Sequence, residues 1–526
     1  MIGIEKVLLR FALPYAPFRG PTKFSKTKHG SDLLKHVSLR LLLAINKSVL
    51  FGFHDAKVIR NQFALELAAI EGATSGYGRG QSHWDEFSRK AGTIEDNSTA
   101  DVSADHYHHF LADIILLRQL GVSDEIEFLA FLLLFWVTSY RLSFSWPRLL
   151  PRGTIDEINA EGILFYDKLI NALILNGIEP MAGCAVSAQL HYHFKGHSLS
   201  LGFAAGVGTQ GRLVKKWITI NEPYIELNQG YCSRVQVFAP GFLQEHCTWT
   251  YYLGSYHLLL AHGSAARVYK RTFQSEQQGI IGISLFAAWY EPENRFNSVE
   301  QRGADLLIAS GFDLFMQPIF GRGGGFPKMM KNTVGPRLPP LSPKEKKLLL
   351  GSADFLGINY YYTMLAREIQ TKRTNLTQIE EDFGVEEIMK PSKYRPEPFH
   401  PDELVDVFNY ILINYGNITV YVTENGCTDT PEEGLNDKSR IKYIRGHLKA
   451  VAKAISKGSD VRGYFVWSLM DNFEWSSGYK PKFGLFSRSH AVQNTEKIVK
   501  MVRKSDAEQS DLIAVLLVDL PLAVTH

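Results

Sequence analysis

Two glutamates stand in matching settings. Glu222 follows the run WITIN (217–221) and precedes Pro223, and Glu424 lies in VYVTENG (420–426), followed by Asn425 and Gly426. An ionised carboxylate resists burial, so a Glu at the end of an apolar strand is poorly placed for stability. Each one alone would be read as a helix cap or an arginine partner. Two of them at strand ends that open to one mouth suit glycoside hydrolysis, which needs an acid/base and a nucleophile flanking the scissile bond.

The elements that must position this pair alternate. β-rich runs lie at 138–146 (TSYRLSFSW), 217–221 (WITIN), 279–286 (GIIGISLF), 355–361 (FLGINYY), 420–425 (VYVTEN) and 461–469 (VRGYFVWSL). Amphipathic stretches at 160–176, 251–272, 402–415 and 437–457 separate them. This order predicts βα units and a parallel sheet, and the continuous apolar character of the runs predicts a sheet buried on both faces. The runs end in polar or aromatic residues, as at Asn221-Glu222, Asn359-Tyr360-Tyr361 and Trp467-Ser468. In a closed parallel barrel such ends share one mouth, where the chemistry sits. A doubly wound open sheet would want a phosphate loop, and the glycines at 76–80 and 321–325 lack the Lys-Ser/Thr or the strand-to-helix setting for one.

Composition excludes other classes. Of 526 residues, 45% are hydrophobic and 12% aromatic, which rules out disordered and collagen-like chains. Against 57 Lys and Arg stand 54 Asp and Glu; a net charge of +3 gives no reason to expect a nucleic acid partner. The apolar runs are interrupted or too short for a membrane span, and the N-terminus carries no clean signal peptide, so a soluble chain is expected. The four cysteines include no CxxC pair. The spacing of Cys232 and Cys247 permits one disulfide in an oxidising compartment, and buried free thiols are the alternative. Asn97-Ser98-Thr99 and Asn375-Leu376-Thr377 are glycosylation sequons of a kind that also arises by chance.

Several longer motifs add to the pair. WITINEPY (217–224), FLGINYYYT (355–363), VYVTENG (420–426), WSLMDNFEWSSGY (467–479), YRLSFSWPRLLP (140–151), NGIEP (176–180) and WDEFS (84–88) stand in that chain. Together they resemble glycoside hydrolase family 1, the β-glucosidase family, with gaps from about Ile70 to Phe486. The resemblance implies an α/β fold, a single (β/α)8 TIM barrel with long βα loops. It implies a retaining O-glycosidase acting on terminal β-D-glucosides or β-galactosides, with no metal and no organic cofactor, and an extracellular or lysosomal setting by family habit. The barrel is expected over 61–490, with an N-terminal extension at 1–60 and a C-terminal tail at 491–526.

By the same resemblance Glu222 is the acid/base and Glu424 the nucleophile, a retaining pair expected about 5–5.5 Å apart. Partial burial and the charge of Glu424 are expected to raise the pKa of Glu222. Arg141 and Tyr361 are expected to support the Glu424 carboxylate, and Asn221 to hold the sugar 2-hydroxyl. Asn359, Trp467, Glu474, Trp475 and Phe483 complete the expected substrate-binding set, with Trp467 as a stacking face and Glu474 accepting two adjacent hydroxyls. Tyr360 reads as barrel packing.

The chain departs from the family pattern at strands 1 to 3. Ala69 stands where the family has a sugar-binding Gln before Ile70-Glu71-Gly72. Residues 181–211 lack the family's His-containing block, and His193 is its weak stand-in. An apolar insert at 123–137 separates a helix from the strand it should enter, and His106, His108 and His109 on that helix read as structural rather than as metal ligands. The alternative reading is a catalytically impaired glycosidase-fold binding protein, a degenerate paralogue or a mis-assembled gene model. Each lost sugar hydrogen bond would cost about 1–3 kcal/mol.

Overall fold

A computed structural model describes residues 61–64, 70–119, 137–185, 213–232, 238–241, 247–370, 378–392, 399–434, 436–487 and 501–502. Among these, eight parallel strands close into a barrel in chain order. They are β1 Asn61–Ala64, β2 Ser139–Ser145, β3 Glu179–Ala185, β4 Lys216–Asn221, β5 Ile280–Phe286, β6 Phe355–Asn359, β7 Thr419–Asn425 and β8 Asp460–Val466. β1 completes the ring by pairing with both β8 and β2. The expected α/β barrel is therefore the observed one.

Side-chain alternation explains how the apolar runs serve two cores. Met181, Ile218, Phe355, Tyr421 and Phe465, one from each of five strands, pack together with Trp467 in a small cluster. Their strand neighbours Trp217, Leu356, Val420, Val422 and Tyr464 belong to a larger cluster shared with the helices. Because successive side chains leave a strand on opposite faces, the first set fills the barrel and the second mortars the helices to it. Both faces are dry, which is why the sequence shows unbroken apolar runs there.

The helices follow the same logic. Ala160–Leu175 starts at Asn159, whose side chain accepts the backbone N–H of Glu161. Pro401–Tyr415 and Lys438–Ser456 pack side by side on the barrel, each burying one apolar stripe. An additional three-stranded sheet, Trp289–Pro292, Thr363–Glu368 and Val385–Met389, was not legible in the sequence. Its first two strands follow the C-terminal ends of β5 and β6, so it belongs to the loops at the barrel mouth.

The irregular regions divide into two kinds. β3 forms along its full length against β2, through a block whose sequence breaks the family pattern. β1 is short, with three paired positions on each side. Ala69, most of the 123–137 insert, the rest of the 181–211 block including His193, and Asn375 lie outside the described residues. At the other end, Phe486–Ser487 pairs antiparallel with Met501–Val502, beyond the expected boundary at 490.

Cys232 and Cys247 form a disulfide, which settles the choice left open by their spacing; their Cα atoms are 4.8 Å apart. Cys427 is buried and forms no disulfide. His106 pairs with the equally buried Asp113 at 2.9 Å, while His108 and His109 both reach Asp105. Among the described residues no group of three or more His, Cys, Asp or Glu side chains is placed to hold a metal ion. No helix among them is long and apolar enough to cross a membrane.

Candidate active site

The two glutamates leave their strands through local irregularities. β7 runs in register with β6 up to Val422 and then slips, so that Glu424 stands opposite Asn359. The register against β8 also slips after Val422, and that of β4 against β5 slips between Ile218 and Asn221. Such bulges re-aim a side chain at the rim of a barrel. Glu222 carries a φ of +44°, unusual for a residue with a Cβ, and sits at the turn from β4 into the helix Pro223–Cys232. Its backbone N–H donates to the carbonyl of Ser284, and its own carbonyl accepts the N–H of Glu226. These bonds hold a conformation that would otherwise relax.

Glu424 is buried and held from two sides. The guanidinium of Arg141, from β2, donates to Oε1, and the hydroxyl of Tyr361 donates to Oε2 at 2.7 Å. Arg141 also donates through Nη2 to Oδ1 of Asn221 at 2.7 Å. Burial, with the negative charges of Glu424 and Glu222 nearby, pushes the Tyr361 phenol well above its usual range, so it remains a donor.

Glu222 is only partly buried and is steadied from below. Asn359 Nδ2 donates to Glu222 Oε1 at 2.8 Å and to Asn221 Oδ1 at 3.1 Å. Asn359 is itself fixed, because its Oδ1 accepts from Ser284 at 3.0 Å and from Thr423 at 2.6 Å. Expected among the sugar ligands, Asn359 is instead fully buried with its amide spent on Asn221 and Glu222, and it does not line the cavity. A side chain beneath the strand ends cannot be told from one above them by its position in a motif.

The remaining expected residues meet over this floor. Asn221, Glu222, Tyr361, Glu424, Trp467, Glu474, Trp475 and Phe483 all line one cavity of about 260 Å³. Trp467 Nε1 donates to Glu474 Oε1 at 3.1 Å, and desolvation raises Glu474 to a pKa of about 7. Trp475 packs against Trp84 and Phe238, with ring centroids 4.9 and 5.6 Å away, so WDEFS supplies the wall behind it. Arg440 fastens the segment bearing Phe483 through the carbonyls of Lys482, Phe483 and Gly484. Gly426 is needed for the approach of the two halves of the site, because a Cβ there would lie 1.8 Å from the Trp467 carbonyl oxygen. Tyr360 is fully buried and donates to the His400 carbonyl at 2.8 Å, the packing role read for it.

Sequence reasoning missed part of the lining: Ile225, Glu226, Gln229, Phe238, Phe286 and Tyr362. The first three share a signal that was available. They lie three, four and seven residues after Glu222 on a helix, which puts them on its face.

The chain matches the family model of glycosyl hydrolase family 1 over residues 63–194 and 203–514. Beta-glucosidase 16 of Arabidopsis thaliana is 35% identical over 456 residues, covering 79% of this chain and 83% of the relative. A protein of Oryza sativa subsp. japonica named as a probable inactive beta-glucosidase 14 is 31% identical over 456 residues, covering 79% and 83%. A rice β-glucosidase mutant solved in a covalent complex with Glc superposes with a TM-score of 0.78 at 29% identity, covering 87% of this chain and 98% of that one. With the matched segments spanning most of the barrel strands and both glutamates, this chain is a glycosidase and belongs to glycosyl hydrolase family 1.

Proposed function

We propose that the chain hydrolyses terminal β-D-glucosides, or β-galactosides, with retention, through Glu424 as nucleophile and Glu222 as acid/base. The observation that carries this reading is the contrast between the two carboxyl groups in one cavity. Glu424 is buried with both oxygens held by Arg141 and Tyr361, as an attacking group must be, while Glu222 is half-buried with one oxygen on Asn359. Glu424 attacks the anomeric carbon as Glu222 gives its proton to the leaving oxygen. Glu222, now a carboxylate, takes a proton from water, whose oxygen displaces Glu424 from the sugar.

Trp467 offers a face for the pyranose and Glu474 an acceptor for its hydroxyls, and Asn221 sits beside Glu424 for the 2-hydroxyl. Asn359 acts through Glu222 and Asn221 instead of on the sugar. We assign the barrel to residues 61–490 and take 1–60 and 491–526 as lying outside it. The disulfide supports an oxidising compartment. A binding-only reading draws on Ala69 and on the relative named as probably inactive. Retention of both carboxyl groups with their supports favours turnover.

The test is hydrolysis of an aryl β-D-glucoside followed by NMR. The first sugar released should be the β anomer, and Glu424→Gln should abolish release. Absence of turnover in the unaltered chain, with glucoside binding intact, would establish the binding-only reading instead.

A further inference from the structure

Among the described residues that line the cavity, Glu226 is the one carboxyl group that the hydrolysis does not use. It lies one helical turn beyond Glu222, is 7% exposed, and its Oε1 accepts no hydrogen bond among the described residues. The imidazole of His83 stands beside it, with Nε2 3.8 Å from Oε1, beyond hydrogen-bond distance. A buried carboxyl oxygen without a donor is costly, so a site that keeps one there gains from a ligand that supplies the donor.

Its place in the cavity says which part of the ligand would do so. The sugar lies against Glu424, Trp467 and Glu474, and the leaving group departs on the side of Glu222, which protonates it. Glu226 and Gln229 follow Glu222 along the same face of the helix, at about 1.5 Å of rise per residue, and so line the leaving-group side. Phe238 and Trp475 also line the cavity.

Charge then selects the ligand's chemistry. Four carboxyl groups line the cavity, Glu222, Glu226, Glu424 and Glu474, and no Lys, Arg or His among the described residues does. Arg141 is committed to Glu424 and Asn221. Burial raises the pKa of Glu226 well above the usual carboxylate range. An ammonium beside it gains by letting Glu226 release its proton to solvent and pair with the cation, and aromatic rings favour a cation over a neutral polar group.

We propose that Glu226 sets the leaving-group preference of this site, favouring an aglycone that carries a protonated amine. The inference rests on the hydrolase reading above for the direction in which the aglycone lies. The amine donates to Glu226 and lies within reach of the Gln229 side chain, while Phe238 and Trp475 flank its apolar frame.

The experiment uses the full chain and three phenyl β-D-glucosides whose para substituent is aminomethyl, hydroxymethyl or ethyl. These differ little in size and present an ammonium, a hydroxyl and a methyl group. At low ionic strength kcat/KM for the aminomethyl compound should exceed both others by about tenfold. The preference should fall to near unity in Glu226→Gln and persist in part in Glu226→Asp, with circular dichroism showing both variants folded. Comparing ratios between the chain and its variants cancels intrinsic differences among the leaving groups. Equal rates for aminomethyl and hydroxymethyl compounds, or a preference that survives Glu226→Gln, would overturn the proposal. Calorimetry with the same glucosides on the Glu424→Gln chain separates the two readings. Binding preference without turnover in the unaltered chain sinks the hydrolase reading alone, and turnover without preference sinks this one alone.

Discussion

The hydroxyl of Tyr361 donates to Glu424 Oε2 at 2.7 Å, on the oxygen opposite the one that Arg141 takes. The nucleophile is therefore oriented by two donors, one on β2 and one just past the end of β6. In the glycosyl-enzyme Glu424 becomes an ester and loses its charge, so the Tyr361 bond is stronger before attack and after departure than in between.

Tyr361→Phe removes that donor while keeping the ring. Because the bond strengthens as Glu424 leaves the sugar and regains its charge, its loss should cost about 1–3 kcal/mol at that step, a fall of roughly tenfold or more in kcat with little change in thermal stability. Steady-state kinetics beside a melting curve checks it. A variant with unaltered kcat would show that Arg141 alone positions the carboxylate.

A graded series of leaving groups separates the two glutamates. Glu222→Gln cannot protonate the departing oxygen, so 4-methylphenyl glucoside should suffer by about 100-fold to 10,000-fold, the usual worth of general acid catalysis. A dinitrophenyl glucoside, whose leaving group needs no proton, should be cleaved far better by the same variant. Glu424→Gln should fail on both, because it removes the attacking atom. Equal losses on both substrates in Glu222→Gln would take the acid role away from Glu222.

Much of this site was legible before any coordinates. Asn221 adjoins Glu222 in one motif, and Tyr361, Trp467, Glu474 and Phe483 were found through the resemblance of other segments to the family. What was not legible is depth. Asn359 lies in such a motif yet ends beneath the floor, and its contact with Glu222 crosses between β6 and β4. Glu226 was missed for the opposite reason: it lies outside the strand ends, and only its helical spacing from Glu222 brings it into the cavity. The extra sheet at the mouth was missed because 289–292, 363–368 and 385–389 are short segments whose pairing joins distant parts of the chain.

Stability should depend on pH through Glu474. Burial holds its folded pKa at about 7 against the ordinary 4.5. The folded state thus binds this proton more tightly than the unfolded chain does. The group's contribution is fully present below the unfolded value and is lost as pH rises through the folded one. Glu474→Gln cannot ionise, so its melting temperature should gain on that of the unaltered chain between about pH 5 and about pH 8. Glu387 has a folded pKa raised to the same region by burial, and it cancels in this comparison. A difference that stays flat across the window would mean that Glu474 is solvated in the free protein.

The Glu71–Arg148 pair tests how the first barrel loop is fastened. Both residues are buried, Arg148 donates through Nε to Glu71 Oε1, and Tyr166 donates to Oε2 at 2.8 Å. Arg148 also reaches the carbonyls of Gly72 and Ala73 at 3.2 and 3.1 Å. Arg148→Met strands a carboxylate in a dry setting, at a cost of about 3–5 kcal/mol. The double change with Glu71→Gln should recover part of that loss. Urea unfolding midpoints decide it, and a double variant no better than the single one would show that the carbonyl contacts carry the effect.

The closest approach within the site predicts the most economical way to disable it. Gly426 follows the nucleophile by two residues, and the Trp467 backbone passes over it, with Trp467 N–H donating to the Asn425 carbonyl at 2.9 Å. Added at Gly426, a Cβ would meet the Trp467 carbonyl carbon at 2.9 Å as well as its oxygen at 1.8 Å, and backbone cannot swing aside as a side chain can. Gly426→Ala must therefore part β7 from the segment after β8. That shift moves Glu424 and the stacking face of Trp467 relative to each other, though neither side chain is altered. We expect kcat to fall and KM to rise together, by at least tenfold in kcat/KM, since a misplacement of about 1 Å near the chemistry costs on the order of 100-fold. Kinetics on an aryl glucoside with tryptophan fluorescence as a report on Trp467 would check this. A variant with normal kinetics and an unchanged spectrum would mean that the two segments yield to one another without disturbing the site.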